Sequence, residues 1–187
     1  MELLEAIYGR RAVRDYDDRK VSHSILHELI DAAIQAPSAL DEQPWVFAVI
    51  EGKGLLSDYS ERAKAHFLET FNSGRDPHSL HRDRLRDLEY NFFYNASTLV
   101  VVYAKPGWKF ATTDCSLAAE NLMLAAHARG LGTCPIGFAQ PWLDLSEIKT
   151  SINISEDFTA VLPLTVGYPA KAPDPVPRKM PEIVFSK

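Results

Sequence analysis

Three arginines fall within five positions near the amino terminus, in the stretch IYGRRAVRDYDD: Arg10, Arg11 and Arg14. A second basic pair, Arg178 and Lys179, closes a proline-rich stretch near the other end. A guanidinium binds phosphate in a planar, two-pronged manner that lysine cannot reproduce. Two such clusters could enclose one phosphate if the tail folds back. Helix capping competes for part of this pattern. Arg10 and Arg11 follow an apolar-periodic segment, where a cation gains about 0.3–1 kcal/mol from the helix dipole. Capping explains neither Arg14 nor the Arg178–Lys179 pair, which has no helix to complement.

Two loops are the next candidates. GLGTCPIGF (130–138) lacks both the GxGxxG dinucleotide fingerprint and a Walker lysine, and alone it reads as a helix stop and a turn. Yet Pro135, Ile136 and Gly137 offer a flat apolar surface with backbone N–H groups, on which a planar heterocycle can rest. In APSALDEQPW (36–45), Ser38 and Asp41 are ordinary turn formers and Trp45 a core residue. Small side chains beside the Gln43 amide would equally suit the edge of a flat ligand. No Ser/His/Asp pattern for nucleophilic catalysis is evident. His78 and His81, with Asp76 and Asp83 nearby, read as a solvated helix start rather than a metal site. Cys134 reads as a small packing residue, since nothing nearby lowers its pKa.

The elements that must position these residues follow from periodicity. Leu3, Leu4 and Ile7 predict a helix over 2–9, stopped by Gly9. Ser22 or Ser24 can cap a helix over 24–35 that Pro37 ends. Helices are also predicted over 55–72, 80–94, 113–129 and 141–150, the third of these stopped by Gly130. Strands are predicted over 46–50, 97–104 and 158–166; the unbroken STLVVVYA run implies burial on both faces. The tail holds Pro169, Pro173, Pro175, Pro177 and Pro181, so it should run extended. Its apolar end, Ile183, Val184 and Phe185, suggests an arm that docks as an edge strand on a neighbouring subunit. Helices interleaved with few buried strands give an α+β fold with a mixed central sheet.

Bulk properties set the bounds. A chain of 187 residues with 46% hydrophobic content can form one domain, residues 1–187, around a full core. A net charge of -5 argues against a nucleic-acid partner. No apolar run approaches the roughly 20 residues that span a bilayer, and MELLEAIYGRR is acidic where a signal peptide is basic. Two cysteines, Cys115 and Cys134, have neither disulfide-framework nor metal spacing. These features lead to the expectation of a cytoplasmic protein.

Five segments together resemble the FMN-dependent nitroreductase-like flavoproteins: IYGRRAVRDY, AAIQAPSALDEQPWVFAVI, DCSLAAENLMLAAHARGLGTCPIGF, LPLTVGYPA and VPRKMPEIV. They occur in the family's order and leave only about 55–91 unmatched. The resemblance implies a three-layer α/β/α nitroreductase-like domain in an intertwined homodimer with an exchanged C-terminal arm and FMN at the subunit interface. It implies Arg10 at the FMN phosphate, Arg11 and Ala12 at the ribityl and phosphate region, and Arg14 at the pyrimidine edge. Arg178 and Lys179 would complete the phosphate site. Pro37, Ser38, Ala39 and Gln43 would come from the other subunit, and Pro135, Ile136 and Gly137 would line one ring face. The implied reaction is ping-pong: NADH or NADPH delivers hydride to flavin N5, then a nitroaromatic, quinone or similar small oxidant takes its place. The cofactor carries that chemistry, so no catalytic side chain and no metal is expected. Two residues depart from the family pattern. Ala12 stands where a serine is frequent, and Asp41 where an asparagine is. Asp41 and the short unmatched region over about 55–91 keep a second reading open, an FMN-binding flavin carrier or flavin-modifying enzyme on the same fold.

Overall fold

The computed structural model describes residues 1–70, 87 and 89–185. Four strands form one sheet: β1 (Trp45–Glu51), β2 (Thr98–Ala104), β3 (Gly132–Pro135) and β4 (Thr159–Gly167), in the order β1-β2-β4-β3. Around it lie α1 (Leu3–Gly9), α2 (His23–Ala33), α3 (Lys53–Thr70), α4 (Ala111–Ala128), α5 (Gln140–Leu143) and α6 (Ser146–Ser151).

The side-chain alternation of β2 builds the layers. All seven of its residues are buried. Val100 and Val102 face a core shared with α2 and α4, while Leu99, Val101 and Tyr103 face one shared with α3 and α5. Successive residues of a strand point to opposite faces, so an unbroken apolar run is what two helical layers require. Full burial of each such side chain is worth roughly 1.5–3 kcal/mol. The Tyr103 hydroxyl, carried into the core, donates to the Leu143 carbonyl at 2.9 Å.

All three pairings between strands are antiparallel. The mixed character expected of the sheet is confined to a parallel bridge between Ala12 and Thr133. Other expectations need correction. GTCP, read as part of a loop, is strand β3, because pairing along the end of β4 imposes extension on a segment without apolar alternation. The predicted helix over 141–150 is two short helices. Of the helix predicted over 80–94, residues 80–86 and 88 lie outside the described residues, and 89–95 form turns. There the Asn91 side chain accepts from the Phe93 N–H at 2.8 Å, and Tyr94 and Asn95 have φ of 53° and 60°. At the end of α4, Gly130 takes a φ of 75°, and its N–H donates to the His127 carbonyl, the expected stop.

Candidate functional site

Segment 10–16 is laid across the β3–β4 corner of the sheet. The Val13 N–H donates to the Thr133 carbonyl at 2.9 Å, and Tyr16 bridges Pro169. The buried Tyr16 hydroxyl lies 2.9 Å from the Val13 carbonyl and 2.8 Å from Thr165 Oγ1; burial pushes this phenol's pKa well up. The backbones approach so closely that a Cβ on Gly132 would sit 2.5 Å from Val13 Cγ2. Residues 12–16 are thereby clamped while Arg10, Arg11 and Arg14 remain at the surface.

These arginines border a cavity of about 890 Å³, also lined by Ala12, Cys134 and Pro135 and closed by the tail residues Lys171, Pro173, Asp174, Val176 and Arg178. The volume is within the roughly 300–1,000 Å³ usual for small-molecule sites. Five cationic side chains face two carboxylates, Asp15 and Asp174, so the site favours an anion. Among the described residues, the buried side-chain polar atoms left without a hydrogen bond are Arg10 Nε, Arg11 Nε and Thr133 Oγ1. Arg10 Nε lies 3.2 Å from Glu120 Oε1, within ion-pair reach but without hydrogen-bond alignment. A buried orphan donor costs about 1–3 kcal/mol. The two arginine orphans belong to residues that line this cationic cavity, and they fit a site for a phosphate-bearing ligand such as FMN.

Capping and anion binding divide the cluster between them. Arg11 donates to the carbonyls of Tyr8 and Arg10 at 2.7 Å each, a partial helix cap. Arg14 instead lies 5.9 Å from the ring centroid of Tyr94. Burial opposes the charge on Arg14, but Cys134, Tyr94 and Tyr90 around it prevail and raise its pKa. Burial pushes the Cys134 thiol up against the opposing pull of Arg14, which keeps it a neutral packing group. Behind the cluster, burial and then the charges of Arg10 and Arg11 lower the pKa of His127.

Of the expected site residues, the cavity brings together Arg10, Arg11, Ala12, Arg14, Pro135 and Arg178. Ile136 is turned into the core and is 5% exposed, leaving Pro135 and Gly137 at the surface. Lys179 is exposed in the tail and does not line the cavity. Pro37, Ser38, Ala39 and Gln43 occupy a separate loop. There the Gln43 N–H donates to Ser38 Oγ at 3.0 Å, the Gln43 amide to Asp41 Oδ1 at 2.7 Å, and the Ala39 N–H to buried Asp114 at 3.3 Å. Leu40, Asp41 and Gln43 all have positive φ there. Lys171 and Asp174 also line the cavity; lying between prolines of an extended tail, they carry no periodic signal in the sequence. His78 and His81 lie outside the described residues.

An arginine-lined cavity thus lies beside a sheet held between two helical layers. Residues 7–168 match the profile of the nitroreductase family, and the chain belongs to that family. A relative from Methanothermobacter thermautotrophicus, provisionally named NADH dehydrogenase/NAD(P)H nitroreductase, is 32% identical over 92% of this chain and 80% of its own length. A counterpart of the same name from Archaeoglobus fulgidus is 30% identical over 92% and 88%. Among solved structures, a Bacteroides fragilis nitroreductase with bound FMN superposes with a TM-score of 0.82 at 28% identity, covering 100% of both chains.

Proposed function

We propose that the protein is an FMN-dependent NAD(P)H oxidoreductase acting on a small oxidant. The observation that carries this reading is the cationic cavity with orphaned guanidinium nitrogens in a nitroreductase-family chain. FMN bound there would supply two-electron hydride chemistry between NADH or NADPH and an acceptor such as a nitroaromatic or quinone. Arg10, Arg11 and Arg178 hold the phosphate by charge-assisted hydrogen bonds. Arg14 supplies fixed positive charge at the pyrimidine edge, where reduction places negative charge. Pro135 and Gly137 present a ring-facing surface, and Ile136 contributes by packing beneath it. Lys179 adds long-range positive charge next to Arg178.

The working unit in this proposal is a homodimer. α1 leaves Leu3, Leu4 and Tyr8 more than half exposed, and the tail does the same with Ile183, Val184 and Phe185. Among the described residues β1 pairs only with β2, and a groove of about 540 Å³ lines its other side. A partner's tail fits that open edge as an added strand. The loop of Pro37, Ser38, Ala39 and Gln43 then serves the site of the second copy. No described helix is long and apolar enough to cross a membrane.

Anaerobic titration of the purified yellow protein with NADH and with NADPH tests the activity. Bleaching followed by reoxidation with a nitroaromatic or a quinone is expected. A flavin that neither nucleotide bleaches would overturn the reductase reading and leave a flavin carrier. Arg14→Ala should lower both reduction potential and FMN affinity, while Arg178→Ala mainly weakens affinity. Two variants indistinguishable from wild type would overturn the residue assignment.

A further inference from the structure

Turns 89–95 run beside Arg14, held by side chains and burial. Ser60 Oγ accepts from the Phe92 N–H at 2.8 Å, and the Tyr94 N–H donates to the Asn91 carbonyl at 3.0 Å. Phe92 and Phe93 anchor the segment in the core at 1% and 0% exposure. This anchoring carries Tyr94 into the left-handed region at φ 53°. An aromatic residue there is strained by on the order of 1 kcal/mol or more, and such strain persists where surrounding structure enforces it.

Strained Tyr94 faces the guanidinium of Arg14, 5.9 Å from its ring centroid. Its hydroxyl lies 3.1 Å from that of Tyr90, and the Tyr90 carbonyl accepts from Lys64 Nζ at 2.8 Å. Tyr94 also packs against Val13 and Tyr16, on either side of Arg14 in sequence. Among the described residues no carboxylate forms an ion pair with Arg14, whereas Arg10 pairs with Glu120. A carboxylate would orient the guanidinium and also cancel its field. An aromatic face and neutral phenol oxygens orient a cation through the ring quadrupole and lone pairs while leaving its charge intact.

We propose that Tyr94, backed by Tyr90, is a positioning residue that fixes Arg14 toward the flavin ring without neutralising it. The inference rests on the reading of Arg14 as the pyrimidine-side cation. Because the charge matters most after reduction, Tyr94 acts on reduced flavin more than on oxidised flavin.

The test measures dissociation constants for oxidised and for chemically reduced FMN in the full-length protein, comparing wild type, Tyr94→Phe, Tyr94→Leu and Arg14→Ala. Tyr94→Phe should weaken reduced FMN about threefold, and Tyr94→Leu about tenfold, with smaller changes for oxidised FMN. Neither substitution should add to the defect of Arg14→Ala when combined with it. Wild-type values in both Tyr94 variants, with Arg14→Ala impaired, would overturn the inference alone. So would equal losses for the two redox forms, or losses that persist in the Arg14→Ala background; these are the marks of a merely structural residue. Wild-type behaviour of Arg14→Ala itself would overturn the site reading and the inference with it. The phenylalanine variant keeps the ring and its packing, so it still reports if the leucine variant fails to fold.

Discussion

The cavity has two walls of opposite construction. Residues 12–16 are clamped by the Val13–Thr133 hydrogen bond, the Tyr16 hydroxyl network and a backbone approach that leaves no room at Gly132. The facing wall, residues 171–178, belongs to an exposed tail that among the described residues has no helix or strand beyond Pro169. One wall is thus determined within the chain, and the other requires something to lie against. The proposed second copy supplies it. The largest expected effect breaks this contrast at the loose wall. Val184 and Phe185 are 82% and 85% exposed, so replacing both with Asp should be neutral for an isolated chain. In the proposed dimer it shifts gel-filtration mobility from dimer to monomer and weakens FMN binding at least about tenfold, since the partner's 37–43 loop departs from each site. A double variant that stays dimeric and yellow would mean the tail does not hold the second copy.

The clamped wall is broken by Gly132→Ala. The new methyl meets the Val13 side chain at its Cβ and both Cγ atoms, which lie within 2.9 Å and cannot swing away. Overpacking of this kind costs about 1–3 kcal/mol, and thermal unfolding should register it. Displacing Val13 also moves its neighbours Ala12 and Arg14, so FMN affinity should fall more steeply than stability alone accounts for. At the 37–43 loop the expected loss of stability is of similar size, with a smaller effect on FMN affinity because the loop does not line this chain's cavity. Buried Asp114, in the first turn of α4, accepts from the Ala39 N–H at 3.3 Å and from Trp108 Nε1 at 2.9 Å. Asp114→Ala leaves both donors unpaired, a loss of about 1–3 kcal/mol; Asp114→Asn keeps an acceptor oxygen and should recover part of it. Equal melting temperatures for the two variants would show that the carboxylate does not tie the loop down.

The same contrast explains what the sequence reveals. The two-faced burial of β2 and the length of α4 are written in local composition, because each satisfies its own periodicity. The arginine cluster is legible for a related reason: guanidinium chemistry survives in any fold that leaves it at the surface. Strand β3 is not legible, since Gly132–Pro135 gets its extended shape from β4 rather than from its own residues. Turns 89–95 imitate a helix because Phe92 and Phe93 are apolar for the sake of the core, while Asn91 closes a turn. Likewise, the flat Pro135–Ile136–Gly137 surface expected from composition ignores strand alternation, which turns Ile136 inward.

The finest probe of the clamped wall is His127, on the last turn of α4. A Cβ on Gly9 would lie 2.7 Å from its Nε2, which places the imidazole against the end of α1 and the arginines that follow it. Burial and then the charges of Arg10 and Arg11 depress its pKa below the ordinary 6.5. The unfolded chain therefore binds the proton more readily than the folded one. The linked stability is present above about pH 6.5 and is lost as pH falls through the depressed value. His127→Gln should flatten the fall in melting temperature between about pH 5 and 7. A phosphate held by Arg10 and Arg11 reverses part of the repulsion, so adding FMN should move the His127 NMR titration upward. The shift is small, but its sign is specific. An unmoved titration would place the phosphate away from Arg10 and Arg11, while a downward one would mean that the ligand buries the imidazole more than it screens the arginines.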